Sequence, residues 1–280
     1  MLLPNFLIIG AAKAGTSSLH RYLAEHPQVV MSRPKEPRFF NEEYNWNKGL
    51  EWYEQCFVGA EDARAIGEAS TFYTKYPHMQ GVPARIAETI PHAKLIYLMR
   101  HPIDRMRSQY LFRVARGQER RSLADALLSP EYLDVSSYAL QIEQFLEFFS
   151  RDRLLLITSE ELRSERLTTL KRVYAFLEVD ETGPIANMHE DFNITAKRPR
   201  VRPAARRIAL LPGYKRVASL VPPSVKEIKR KIAAPPAATS ATPEIPRELE
   251  SQLEDLLRDD LSRLRRYMPA GFDGWGIAWS

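Results

Sequence analysis

Residues 8–18 read IIGAAKAGTSS. Gly10 and Gly15 keep the G-x-x-x-x-G spacing of a phosphate-binding loop. In such a loop, successive backbone N–H groups and the N-terminus of the following helix cradle an anion. Ala14, Gly15, Thr16, Ser17 and Ser18 would supply amides here, with three hydroxyls among them. In the triphosphatase form of the loop a lysine directly follows the second glycine, and a hydroxyl and a strand-end acid hold Mg²⁺. This chain instead carries Lys13 inside the loop. None of its apolar runs ends in aspartate in a clear Mg²⁺ pattern. KLIYLM ends in Arg100, which repels a metal, and RLLLIT runs into Ser159, Glu160 and Glu161, either a rival acidic site or a helix cap. The expectation is a pocket that neutralises its ligand with side-chain cations and amides, with no metal.

The elements that must position these groups follow from patterning. FLIIG (6–10) is a short apolar run that reads as a buried strand, and TSSLHRYLAEHP reads as a helix stopped at His26-Pro27. VVMS (29–32) and ARAIGEAST (63–71) read as strands, with a proline-broken stretch between them. KLIYLMRHP (94–102) is the clearest strand, followed by the helical IDRMRSQYLFRVARG. YALQIEQFLEFFS, RLLLITSEEL and LTTLKRVYAFLEV continue as helix, strand and helix. Strands alternating with helices predict an α/β fold, a central parallel sheet flanked by helices. Ligands of such sheets bind outside the strands' carboxyl ends. Gly10, Glu68 and Arg100 all fall at those ends.

The 280 residues fit one domain, read as a 5–200 core, a basic and proline-rich 201–246 segment, and a 247–280 helix and tail. In the last helix Leu249, Leu253, Leu256, Leu257, Leu261 and Leu264 form one stripe. The length of KGLEWYEQCF suggests a wall of the cleft. Lysine and arginine exceed aspartate and glutamate by 40 to 35, which points to an anionic ligand or surface. The single cysteine, Cys56, excludes an intrachain disulfide, and no histidine pair has zinc-ligand spacing. The N-terminal MLLPNFLIIG lacks the basic start and cleavage site of a signal peptide, and no run of 18 apolar residues occurs. A soluble, cytoplasmic protein is expected.

With these elements in order, the chain resembles sulfotransferases that use 3′-phosphoadenosine 5′-phosphosulfate (PAPS), the class that includes heparan sulfate sulfotransferases and bacterial relatives. GAAKAGTSSL, LMRHPIDRMRSQY and KEPRFF carry the resemblance, which covers roughly residues 5–200. It implies a three-layer fold like that of P-loop NTPases, PAPS as donor and PAP (adenosine 3′,5′-bisphosphate) as product. It also implies that the loop grips the 5′ end, while Arg100 and Ser108 hold the 3′-phosphate. That pair lies eight residues apart, about two helical turns, and an arginine fork suits a phosphate. Glu36, framed by Pro34 and Pro37, maps to the base that takes a proton from a hydroxyl or, less favoured, an amine. Lys13 would then stabilise charge on the departing nucleotide, which gives its displaced position a purpose. Arg38 would contact an anionic acceptor or support Glu36.

One departure concerns the acceptor. Heparan-type relatives read G-E-K-T-P where this chain has GEAST, so Ala69 replaces a lysine and Glu68 with Ser70 would shape the substrate pocket instead. The basic KRPRVRP stretch offers Lys197, Arg198 and Arg200 to the 3′-phosphate. Beyond it, 201–231 could touch cofactor, acceptor or an anionic membrane, although its prolines oppose a continuous amphipathic helix. The acceptor would be a carbohydrate, lipid or metabolite. Two rivals stand beside this reading, a Mg²⁺-dependent P-loop kinase and a non-catalytic anion-binding module. Nucleic acid is not an expected partner, since Tyr214 is the only aromatic in the basic region.

Overall fold

The computed structural model describes residues 2–182 and 244–277. In chain order the elements are β1 (Phe6–Gly10), α1 (Thr16–Ala24), β2 (Val29–Met31), α2 (Gly49–Glu54), β3 (Ala65–Ala69), α3 (Val82–Thr89), β4 (Lys94–Met99) and α4 (Pro102–Ala115). There follow α5 (Leu123–Leu127), α6 (Pro130–Ser136), α7 (Tyr138–Leu146), β5 (Leu154–Thr158), α8 (Ser159–Ser164), α9 (Arg166–Leu177) and α10 (Arg247–Leu264). The five strands form one sheet in the order β2-β3-β1-β4-β5, every pairing parallel. Helices cover it, α1 against β1 to β3 and α9 against β5. That cover is why β1 and β3 are buried at every residue and read as continuous apolar runs rather than alternating ones.

The chain leaves β1 toward β3 on one side and reaches β4 on the other, so the strand order reverses at β1. The carboxyl ends of β1 and β4 therefore open onto a crevice that no crossover fills. Gly10 closes β1 there. A side chain on it would meet Thr74 Oγ1 at 2.0 Å and Tyr97 at 2.9 Å, so only glycine fits. Thr74 Oγ1 donates to Ile9 O at 3.1 Å and packs the next segment against that strand end.

The strands and helices that the patterning marks all occur, beside five short helices, α2, α3, α5, α6 and α8, that it does not mark; three of the marked elements differ in detail. The third strand stops at Ala69, because Ser70 opens a turn in which Tyr73 N–H donates to Ser70 O at 3.2 Å. Pro102 lies inside α4 as its first residue, where a missing N–H costs nothing. In α10, Leu256 is 54% exposed. The buried stripe is Leu249, Leu253, Leu257, Leu261 and Leu264, steps of four and three that Leu256 breaks. Asp260 on the same face is buried because its carboxylate accepts the N–H groups of Ala139 and Leu140, at 3.0 and 2.8 Å, and so caps α7. No helix among the described residues is long and apolar enough to cross a membrane.

Candidate active site

At the crevice lies a cleft of about 1220 Å³, lined by residues of the Gly10–Ser18 loop, the Glu36 segment, the turn after β3, and helices α4, α8 and α9. Lys13, Ala14, Gly15, Thr16, Ser17 and Ser18 all face it. Gly15 adopts φ 105° as the N-cap of α1, and Lys13 has φ 75°. The two left-handed residues turn the loop back on itself, so that amides and hydroxyls converge where the helix begins. Lys13 Nζ sits 4.3 Å from the centre of the Phe112 ring on α4. Beneath the loop, the fully buried Arg105 reaches Ala12 O at 3.5 Å and anchors to Ser136 Oγ at 2.6 Å and Tyr132 O at 2.9 Å.

Arg100 follows β4 directly and Ser108 stands two turns along α4; both line the same cleft as the loop. Arg100 Nη2 lies 3.4 Å from Asp104, while its buried Nε has no hydrogen-bond partner among the described residues. The strand end is pinned by Tyr138, whose hydroxyl donates to Arg100 O at 2.6 Å. Glu160 accepts the His101 N–H at 3.2 Å and Trp275 Nε1–H at 3.1 Å, tying the α4 start to the chain's C-terminal tail. Glu161 forms a capping box with Thr158 at the start of α8 and pairs with Arg172 at 2.9 Å. Both acids are thus engaged in structure, the helix-cap reading of the two. Among the described residues no three histidine, cysteine, aspartate or glutamate side chains gather as a metal-binding group.

Glu36 faces the loop's cleft from the segment after β2. Its carboxylate meets Arg38 Nη2 at 2.9 Å, Lys35 Nζ at 3.3 Å and the Thr71 hydroxyl at 3.5 Å. Burial pushes this carboxyl upward, but the Lys35 and Arg38 cations more than offset it and hold it below the usual carboxylate range. Glu36 is therefore ionised at neutral pH and able to take a proton. Arg38 has φ 52° and is locked there by its own N–H, which donates to Ser70 Oγ at 3.0 Å. Ser70 Oγ in turn donates to Glu68 Oε2 at 2.5 Å, and Tyr53 and Tyr73 donate to Glu68 Oε1 at 2.6 and 2.7 Å.

The expectation that Glu68 and Ser70 contact substrate is corrected by this placement. Both are wholly buried and neither lines the cleft. They act through Arg38, since Ser70 fixes the backbone that carries the guanidinium onto Glu36. The 48–57 stretch is likewise no cleft wall. Tyr53 stacks on Phe39 with ring centres 4.2 Å apart, behind the segment that carries Glu36. Lys197, Arg198 and Arg200, and the 201–231 region, lie outside the described residues.

The sequence reasoning missed much of the cleft's charge. Nine lysines and arginines line it against three acids, Glu36, Asp104 and Glu131. Lys75, Arg107, Arg113, Arg116, Arg163 and Arg166 were not singled out. The signal for part of them was available, because α4 carries Arg107 and Arg113 besides Arg105, with Arg116 at its C-cap, and these three line the cleft.

Comparisons with known proteins show which family the chain resembles and which fold it shares. A family model described as a sulfotransferase domain matches residues 3–202. A mouse bifunctional heparan sulfate N-deacetylase/N-sulfotransferase 4 is 32% identical over 206 residues, covering 63% of this chain and 22% of that protein. A membrane-associated sulfotransferase of Dictyostelium discoideum is 40% identical over 117 residues, covering 41% of this chain and 24% of that protein. The chain thus spans less than a quarter of the length of these curated relatives. Among solved structures, a sulfotransferase from Alicyclobacillus acidocaldarius superposes with a TM-score of 0.71 at 24% identity, covering 99% of this chain and all of that one. A mouse sulfotransferase complexed with PAP superposes with a TM-score of 0.51 at 13% identity, covering 98% of this chain and 87% of that one. At such identities these two structures establish the fold.

Proposed function

Because the chain belongs to the sulfotransferase domain family, we propose that it moves a sulfuryl group from PAPS to a hydroxyl, or less favoured an amine, of an acceptor. Family membership takes the place of the kinase and binding-module alternatives. One observation carries the reading: the loop, Arg100 with Ser108, and Glu36 open into a single cleft with a threefold excess of cations over acids. Its size suits a nucleotide with room for a second reactant.

The residues fit the donor. Arg100 presents a buried nitrogen that no described residue satisfies, as expected of a group that meets a phosphate. The loop amides, with Thr16, Ser17 and Ser18, would hold the 5′ end, while Arg100 and Ser108 would hold the 3′-phosphate. PAPS, when bound, supplies an activated sulfuryl group on a phosphate leaving group. Lys13 would place its ammonium at that leaving oxygen and stabilise the charge gathered there. Glu36, kept ionised by Lys35 and Arg38, would accept the acceptor's proton as the new S–O bond forms. Holding both reactants in line lowers the barrier further. The relatives' names mention heparan sulfate, and a carbohydrate acceptor is a fair first trial here.

Calorimetry with PAP and with adenosine 5′-monophosphate tests the donor assignment. Charge-assisted hydrogen bonds to the 3′-phosphate should make PAP bind about ten- to a hundredfold tighter. Equal affinities would remove the basis for the roles of Arg100 and Ser108.

A further inference from the structure

Lys75 follows the turn after β3 and lines the cleft beside Glu36 and Arg38. Among the described residues its ammonium makes no hydrogen bond and no ion pair; it rests 3.4 Å from the centre of the Phe72 ring. Arg38 Cζ lies 3.8 Å from the same ring centre, so one aromatic side chain braces two cations. Burial, then repulsion from Arg38 and Arg105, drives the Lys75 ammonium down to about 8. Glu36 is the acid that attracts it, yet that carboxylate is already engaged by Lys35 and Arg38. A partly desolvated ammonium without a counter-ion costs stability unless a ligand supplies one. The loop lysine has a different support: Lys13 leans on Phe112 of α4, not on Phe72.

We propose that Lys75, with Arg38 against the shared Phe72 ring, is a subsite for an anion carried by the acceptor, a carboxylate, sulfate or phosphate ester next to the group that is modified. This assignment rests on the sulfuryl transfer proposed above. It makes Lys75 a specificity-determining residue, selecting acceptors that bring their own negative charge to the side of the base. The donor's sulfate is the other source of the same chemistry, and the experiment separates the two.

The test is acylation of the intact protein by acetic anhydride at neutral pH, read at Lys13 and Lys75 by mass spectrometry of the digested peptides. Only the neutral amine reacts, so an anion that raises the Lys75 pKa by one unit slows its labelling about tenfold. With saturating PAPS, Lys13 should be protected and Lys75 should remain reactive. Adding inorganic sulfate to the PAPS-loaded protein should then slow Lys75 about tenfold, while chloride at equal ionic strength should not. Protection of Lys75 by PAPS alone would assign the anion to the donor and overturn the proposal. So would indifference to sulfate, or equal slowing by chloride, which is mere screening. Failure of PAPS and PAP to protect Lys13 would instead strike at the proposed function, a separate outcome.

Discussion

The loop half of the cleft hangs from strand ends, with Gly10 closing β1 and Arg100 following β4; α4 starts two residues beyond Arg100, and α1 after the five-residue loop that follows Gly10. The Glu36 half has no regular element under it. Residues 32–45 carry neither helix nor strand, and their shape comes from side chains: Ser70 on the Arg38 N–H, Asn45 on Pro37 O at 2.6 Å, and stacked Phe39 and Tyr53 behind. A phosphate needs converging amides, which a strand-loop-helix turn provides from backbone alone. A base must lie within hydrogen-bond reach of a proton whose place depends on the acceptor, and under the proposed function loop residues held by side chains would set that reach. Its glycines apart, the first half should thus tolerate side-chain changes in shape, and the second should fail at single contacts.

The sharpest break between the halves should come from Glu36→Gln. It keeps size and one accepting oxygen but cannot take a proton, so turnover should fall by about 10²–10⁴ while PAP affinity measured by calorimetry holds. Equal loss of both would move Glu36 into the donor site. Lys13→Met should cost about 10²–10³ in kcat, since one preorganised charge at the leaving group disappears, with the loop still binding nucleotide through amides. If kcat survives and only KM for the donor rises, Lys13 is a binding group and not a leaving-group one. Arg100→Gln comes next, expected to erase the roughly ten- to hundredfold preference for PAP over the monophosphate without altering monophosphate affinity.

These differences also explain what could be read in advance. The sheet and its order of helices were legible because five parallel strands buried on both faces must be short apolar runs, such as FLIIG and KLIYLM. The loop half was legible because its cleft-lining residues are contiguous, as at 13–18, or about two turns apart, as Arg100 and Ser108 are. Glu36 could be mapped only through KEPRFF, and its partners come from sequence positions 35 to 71, which no periodicity links. Glu68 shows the limit. An acid at a strand's carboxyl end looks like a pocket residue, and nothing in GEAST reveals that Tyr53 and Tyr73 close over it. Lys75 was invisible for a related reason: the proposal on it rests on partners that no described residue supplies, and a sequence does not display those.

Glu68 offers the smallest effect and a test of what supports the Glu36 half. Burial raises its carboxyl from about 4.5 to about 7, although the hydroxyls of Ser70, Tyr53 and Tyr73 pull the other way. A carboxyl whose folded-state pKa lies above its unfolded one holds its proton more tightly when folded. Its contribution to stability is complete below about pH 4.5 and is lost as the pH climbs through about 7, to the extent of about 3 kcal/mol. Glu68→Gln mimics the protonated acid at every pH. Thermal unfolding followed between those pH values should show a falling Tm in the wild type and a flatter course in the variant. Turnover should change only a few-fold, because Ser70 keeps its bond to the Arg38 N–H and can still accept there whichever way its own hydrogen points. If the two proteins instead lose Tm in parallel, Glu68 does not titrate in this range. If turnover falls as far as in Glu36→Gln, the Ser70–Arg38 link transmits far more to the base than one backbone hydrogen bond should, about 1 kcal/mol.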